Sequence, residues 1–303
     1  MGIGHYIKDI GRGKDGARAL DRARATDLMG QILDQQVSDL ELGAFCIAMR
    51  IKGETPEEMA GFLDATHARL NKVHTGHTPT VVLPSYNGAR KLPVLTPLLA
   101  LLLAREGVAV VVHGAATEDK RVSSQAVFAH LGVNALDHVS PAVAGQVQFI
   151  PTSVLNAGLD RLLAVRRVMG LRNPGHSLVK LMNPCDPASG PALVISSYTH
   201  PEYAVSMAAT LELMHTRALL LRGTEGEAVA DARRQPQIDA FLNGQRIPLV
   251  AAQTGSLVRL PEWPANIDAV STAAYIQQVL EGTLPTPAPI SAQVQAVLQA
   301  LKA

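Results

Sequence analysis

The chain has 303 residues, 47% of them hydrophobic, so it can bury a large core in one or two domains, which excludes disorder of the whole chain. Its 27 Lys and Arg residues balance 26 Asp and Glu residues to a formal net charge of +1, and aromatic residues make up only 4%, so composition indicates neither a basic excess nor a base-stacking surface. Cys46 and Cys185 lie far apart without metal-like spacing, which predicts a reducing, cytoplasmic setting and no structural zinc.

The N-terminal part of the chain predicts helices. Ser38 and Glu41 have the spacing of a capping box ahead of an apolar run, and Thr55 with Glu58 repeats the pattern. Gly53 supplies a turn between the two helices. Because the link is short and each helix has one apolar stripe, the two are expected to form an antiparallel pair.

From residue 80 onwards, short β-rich runs alternate with helical segments. The predicted strands are residues 81–83, 108–112, 146–150, 192–198 and 218–222, and the predicted helices are residues 98–105, 123–131 and 201–215. This alternation is typical of a mostly parallel sheet with helices on its faces. The predicted fold class is therefore α/β, with a small all-α domain over residues 1–75 and a large α/β domain over residues 76–303.

Three further segments complete the prediction. Residues 153–172 carry apolar residues at helical spacing without a strand partner and are predicted as a helix that joins the all-α domain. A Pro-rich linker from Gly282 precedes a short helix beginning at Ser291. The longest apolar run, residues 94–104, is interrupted by Pro97 and is too short to cross a bilayer, so no membrane span is predicted.

Residues 28–65 resemble the N-terminal helical domain of the superfamily that contains anthranilate phosphoribosyltransferase and pyrimidine-nucleoside phosphorylase. Further motifs follow in the family's order, at residues 113–114 with 121–124, residues 165–184, and residues 200–203 with 222–223. The resemblance implies the fold of this family, a cleft between the two domains and a homodimer formed through the N-terminal helices.

The family's phosphate loop is altered in this sequence. After the first strand the family has Gly-Thr-Gly-Gly-Asp, whose backbone amides close around pyrophosphate. This chain has Pro-Ser-Tyr-Asn-Gly at residues 84–88, where Pro84 removes an amide donor and Tyr86 adds bulk. The resemblance therefore implies a degenerate site for phosphoribosyl pyrophosphate.

The family's metal site is altered as well. Its Asp-Glu pair, which holds Mg²⁺, falls on Ala228 and Val229 in this chain. Glu225 and Glu227 lie close by in sequence, and we expect them on the surface of a loop rather than on a metal. No cofactor and no metal are predicted.

A residual anion site, if one remains, would comprise His113, Gly114, Ser123 and Ser124. The structural alternative is that His113 and Gly114 form a turn after a buried strand. The two serines would then only cap the helix that they precede.

Basic residues cluster around the degenerate site. Residues 158–180 hold five Arg and Lys residues against Asp160 alone, and two more follow the altered loop. A retained fold with a degenerate site is similar to the YbiB-like branch of the family, whose dimers bind nucleic acid without sequence preference. The resemblance therefore implies a DNA-binding homodimer whose phosphate contacts come from Arg166, Arg167, Arg172, Lys180, Arg90 and Lys91.

Two alternatives stay open. One is an enzyme, a phosphoribosyltransferase of altered substrate. The other is that the charge runs are solvated helix faces. The second applies most to the N-terminal run, because interspersed aspartates can pair with it along a helix. That run comprises Lys8, Arg12, Lys14, Arg18, Arg22 and Arg24.

Overall fold

Four helices precede the sheet in the computed structural model, which describes residues 2–13, 15–258, 260–264 and 266–303. They are α1 (Gly4–Ile10), α2 (Arg22–Leu33), α3 (Asp39–Lys52) and α4 (Pro56–His67). The predicted capping boxes are confirmed: Ser38 and Glu41 close one at the start of α3, and Thr55 and Glu58 close another at the start of α4. Gly53 turns the chain between them with a φ of 78°.

Helix α4 packs mainly along α2, and not on α3 as the short link predicts. Gly61 explains this pairing, because a Cβ there would lie 2.4 Å from the carbonyl oxygen of Arg22 and 2.8 Å from the Cβ of Ala25. Helix α3 still contacts α4 through Phe45 and Phe62, whose rings meet edge to face with centres 6.1 Å apart.

Seven strands form one sheet in the order β3-β2-β1-β4-β5-β6-β7. They are β1 (Thr80–Pro84), β2 (Ala109–Gly114), β3 (Val147–Pro151), β4 (Ala192–Tyr198), β5 (Ala218–Arg222), β6 (Ile238–Leu242) and β7 (Gln245–Val250). The first five strands are parallel, and β6 and β7 continue the sheet antiparallel. The predicted α/β class with a mostly parallel sheet is confirmed.

Eight further helices cover the sheet. They are α5 (Thr96–Arg105), α6 (Ser124–His130), α7 (Thr152–Leu155), α8 (Ala157–Met169), α9 (Gly175–Leu181), α10 (Pro201–Leu213), α11 (Ala269–Leu280) and α12 (Ala288–Lys302). Alternate strand residues enter two cores, as the twofold period of a strand requires. Val82 and Val111 pack with α1–α4 and α8–α10, whereas Val81 and Val110 pack with α5, α6, α11 and α12.

Several segments differ from the sequence predictions. The helix predicted over residues 153–172 breaks at Asn156, whose extended backbone leaves its side chain free to cap α8 at the amide of Leu159. Helix α8 packs on α2. The final helix begins at Ala288 and spans 15 residues, so it is neither short nor delayed to Ser291. Within the described ranges, no helix is both long and apolar enough to cross a bilayer.

Candidate functional site

A cleft of about 940 Å³ lies where the chain leaves the carboxyl ends of β1, β4 and β5, which is where parallel sheets usually bind ligands. Its walls come from the end of α3, the loop of residues 85–92 after β1, the start of α9, the start of α10 and the loop after β5. Among the described residues, seven Arg and Lys residues line it against three Glu residues. The cleft is therefore a positively charged concavity between the N-terminal helices and the sheet.

On one side of the cleft, the carboxylate of Glu227 fills the bend of loop 85–92. It accepts hydrogen bonds from the main-chain N–H groups of Asn87 at 3.0 Å and Gly88 at 2.8 Å. It also accepts from the hydroxyls of Ser85, Thr96 and Ser124. Glu227 is only 1% exposed. The chain itself therefore supplies the anion that this group of donors surrounds.

Glu225 closes the rest of the loop. Its carboxylate accepts from the main-chain N–H groups of Arg90 at 3.0 Å, Lys91 at 2.8 Å and Leu92 at 2.9 Å. Positive φ angles of 52° at Glu225 and 91° at Gly226 turn the chain sharply between the two glutamates. The expectation that these glutamates lie on a loop surface is wrong for Glu227, which is buried, whereas Glu225 lines the cleft from its loop; together they anchor five main-chain amides of loop 85–92.

Two cations beside this loop, Lys180 and Arg172, have no acidic partner within the described residues. Lys180 lies on α9 and not in a loop as expected, and its ammonium donates to the Ser197 carbonyl oxygen at 2.8 Å. Arg172 donates to the side-chain oxygen of Asn87. Neither cation has a carboxylate partner in the part of the chain that the structure describes. Burial, and secondarily the charge of Arg172, lowers the pKa of Lys180 to about 8.

Tyr86 and His176 lie beside these cations. The Tyr86 ring meets the His176 ring edge to face at 5.8 Å, and the Lys180 ammonium stands 5.9 Å from the centre of the Tyr86 ring. His176 is 4% exposed, and its Nδ1 lies 3.2 Å from the carbonyl oxygen of Asn173. Its Nε2 has no hydrogen-bond partner among the described residues. Burial lowers the pKa of His176 to about 3, so the ring is neutral.

The cleft brings together four of the six cations that the sequence proposes for phosphate contacts, namely Arg90, Lys91, Arg172 and Lys180. Arg90 and Lys91 have exposed side chains. Arg50, at the end of α3, also lines the cleft and is exposed, although no motif marks it.

Arg166 and Arg167 do not line the cleft, contrary to the prediction that their helix points them into it. Arg166 donates to Glu118 at 2.9 Å, and Arg167 donates to the carbonyl oxygen of Ala116 at 2.8 Å. Arg167 also lies 3.5 Å from Asp119. Both guanidinium groups therefore hold residues 115–120, the loop that follows β2.

The four residues predicted as a residual anion site lie elsewhere than in the cleft. His113 and Gly114 are the last residues of β2 and not a turn, and burial lowers the pKa of His113 to about 4. Ser123 caps α6 at the amide of Ala126, whereas the Ser124 hydroxyl lies 2.7 Å from that of Ser85 in the Glu227 group. None of the four lines the cleft.

Other cations are neutralised by nearby acids. Arg121 and Arg233 line the cleft, but Arg121 pairs with Glu118 and Arg233 pairs with Asp231, each at 2.8 Å. In the N-terminal basic run, Asp9 pairs with Arg12 and Arg24, and Asp64 pairs with Arg22, so the solvated-face interpretation holds for these three arginines. Lys14 lies outside the described residues.

Comparisons with known proteins agree with this architecture. Residues 5–69 match the family described as "Glycosyl transferase family, helical bundle domain". The anthranilate phosphoribosyltransferase of Methanopyrus kandleri is 27% identical over 295 residues, which cover 93% of this chain and 84% of the relative. The crystal structure of anthranilate phosphoribosyltransferase from Thermus thermophilus superposes with a TM-score of 0.69 at 22% identity, covering 97% of this chain and 87% of that one.

A second relative is more similar in sequence. The Escherichia coli (strain K12) protein named "Uncharacterized protein YbiB" is 40% identical over 301 residues, which cover 97% of this chain and 92% of the relative. Identity of this extent over nearly the full length of both proteins joins them in one family. The chain therefore belongs to the family of Escherichia coli YbiB, with the fold of anthranilate phosphoribosyltransferase.

Proposed function

We propose that this protein is a cytoplasmic homodimer that binds nucleic acid without sequence preference, through phosphate contacts in the cleft. One observation carries the proposal: four cations of the cleft, Arg90, Lys91, Arg172 and Lys180, have no acidic partner among the residues that the structure describes. Unpaired cations in a concave surface favour a polyanion, whose binding is driven by phosphate contacts and counterion release.

The loop geometry argues against a phosphoribosyltransferase. Anthranilate phosphoribosyltransferase from Saccharomyces cerevisiae, 15% identical to this chain, has been solved in complex with phosphoribosyl pyrophosphate and Mg²⁺. Here the amides of Asn87 and Gly88 already hold Glu227, and Tyr86 fills space beside them. A pyrophosphate would have to displace a buried carboxylate from five donors, so the loop does not fit that substrate. The similarity to transferases keeps a transferase of altered substrate as the second candidate.

An apolar stripe on α3 supports the homodimer. Leu40, Ile47 and Ile51 are spaced along one side of this helix and are exposed by 84%, 38% and 59%. Large apolar side chains grouped on one helix face usually mark an interaction surface. Pairing α3 with its copy about a twofold axis would bury the stripe in both protomers and bring two basic clefts into one assembly. Light scattering at micromolar concentration is expected to show a dimer, and a monomer would contradict this part of the proposal.

The test of function is a pair of titrations on the full chain. Fluorescence anisotropy with random single-stranded and duplex oligonucleotides of about 30 nucleotides is expected to show binding that weakens steeply from about 50 to 200 mM salt. Calorimetry with phosphoribosyl pyrophosphate and Mg²⁺ is expected to show no binding, and anthranilate is expected to remain unconsumed. No nucleic-acid binding at low salt would overturn the proposal. Turnover of anthranilate would establish the transferase instead.

A further inference from the structure

We propose that the base of the cleft is a phosphomonoester site formed by Arg172, Lys180 and His176, which takes a free nucleotide or the terminal phosphate of a strand. For the strand end, this inference rests on the proposed nucleic-acid binding and makes it more specific. It is separate from loop 85–92, whose amides are occupied by Glu225 and Glu227.

The first support is charge placed where water is scarce. Lys180 is 9% exposed, yet its ammonium has only the Ser197 carbonyl oxygen as a hydrogen-bond partner among the described residues. Arg172 stands close enough to repel its charge and is itself anchored to the Asn87 side chain. A buried ammonium beside a half-buried guanidinium, neither paired with an acid in the described part of the chain, costs free energy that an entering anion would recover.

The second support is an unsatisfied polar atom at the same place. His176 lines the cleft and is 4% exposed, and its Nε2 lacks a partner within the described residues. Buried side-chain nitrogens are normally hydrogen-bonded, and this one belongs to a residue of the cleft wall, so it is available for a contact with a ligand. The main-chain N–H of Asn173 donates to the other ring nitrogen, Nδ1, at 3.3 Å, which assigns the proton of the neutral ring to Nε2, where it can be donated to a phosphate.

The third support is the size and depth of the cleft. A volume of about 940 Å³ lies within the range of small-molecule pockets, about 300 to 1,000 Å³. An internal phosphate of a duplex stays on the outside of a stacked helix and cannot reach a side chain that is 9% exposed, as Lys180 is. A mononucleotide, or the last nucleotide of a strand, can enter.

The positive charge of the site favours a phosphomonoester over a phosphodiester. A phosphomonoester carries about −1.5 to −2 charges near neutral pH and three acceptor oxygens, whereas a diester carries one charge. Two cations and a ring nitrogen match the monoester in charge and in number of contacts. The bound dianion would also keep Lys180 protonated, since an adjacent negative charge favours the ammonium form.

The experiment uses thymidine 5′-monophosphate, thymidine, and one short oligothymidylate with either a 5′-phosphate or a 5′-hydroxyl. Calorimetry is expected to show binding of the monophosphate and not of thymidine. If the natural source is a strand end, the 5′-phosphorylated oligonucleotide binds at least about tenfold more tightly than its 5′-hydroxyl form. Equal affinities for the two oligonucleotides, with the monophosphate still bound, would identify the free nucleotide as the source.

Variants separate this site from the rest of the cleft. Lys180→Met keeps the length of the buried side chain, and Arg172→Gln changes a half-buried one, so at least one is expected to fold as the parent does by thermal unfolding. Each is expected to remove the preference for the monophosphate, while Arg166→Ala, outside the cleft, keeps it. Monophosphate binding without any binding of oligonucleotides would refute the proposed function and leave this site standing. Equal weak binding of thymidine and its monophosphate would overturn the site.

Discussion

The two sides of the cleft treat negative charge in opposite ways. On the side of loop 85–92, Glu225 and Glu227 are acceptors for five main-chain amides, so the anion is a permanent part of the protein. On the side of α9, Arg172 and Lys180 have no carboxylate partner in the described ranges. One fold can therefore fill an anion site with its own carboxylates and leave neighbouring cations available for a ligand.

Removing the internal anion should have the largest effect. Glu227→Ala leaves two main-chain amides and three hydroxyls around a buried gap, so we expect the free energy of unfolding to fall by about 4 kcal/mol. Urea unfolding measures the change, with Glu202→Ala at the exposed start of α10 as the matched control. A loss no larger than that of the control would show that Glu227 is not an anchor.

The buried histidine beneath the loop should give a pH dependence. Burial lowers the pKa of His113 to about 4, while the unfolded chain has a pKa near 6.5, so below that value the unfolded state takes up the proton first. Stability is therefore complete above about pH 6.5 and falls as the pH decreases towards 4. Between about pH 6.5 and 5, we expect the parent to lose about 2 kcal/mol more than His113→Leu. Parallel unfolding profiles for the two proteins would contradict this assignment.

Two glycines separate the effect of a positive φ from the effect of the close contact between loop 85–92 and Val122. Gly88 and Gly170 have similar φ angles of 65° and 69°, but a Cβ at Gly88 would lie 2.5 Å from the carbonyl oxygen of Val122, whereas one at Gly170 meets nothing within 4 Å. We expect Gly170→Ala to cost about 1 kcal/mol for the left-handed backbone alone, and Gly88→Ala about 2 kcal/mol or more. Equal losses of unfolding free energy would mean that the loop can move away from Val122.

The sequence predicts the framework better than the site, for physical reasons. Most of strands β1 to β5 can be predicted because buried strands of a parallel sheet form continuous apolar runs, as in residues 218–221. The sequence does not predict strands β6 and β7 or helices α9 and α11. The exposed first residues of β7, such as Gln245 and Arg246, give no apolar run.

The site depends on contacts between distant segments. At the level of sequence, only the resemblance to the anthranilate phosphoribosyltransferase family, and no local pattern, predicts that Arg172 and Lys180 lie near the cleft. The partners that decide what each charge does lie far along the chain: Glu118 for Arg166, and Glu227 for the amide of Gly88, 139 residues away. A local charge count over residues 158–180 cannot separate a guanidinium that holds an acid from one that faces a cavity.

In the proposed function, free cations in the cleft, and not basic residues in general, contact phosphates. The measurement is the salt dependence of affinity for a random duplex of about 30 base pairs, where each lost phosphate contact lowers the slope by about 0.9. The double variant Arg90→Ala, Lys91→Ala should lower the slope by about two and weaken all sequences alike. The matched double variant Arg166→Ala, Arg167→Ala, whose guanidinium groups hold residues 115–120 in the parent, should keep the parent slope. The reverse result, with the slope lost only in the second variant, would contradict the account.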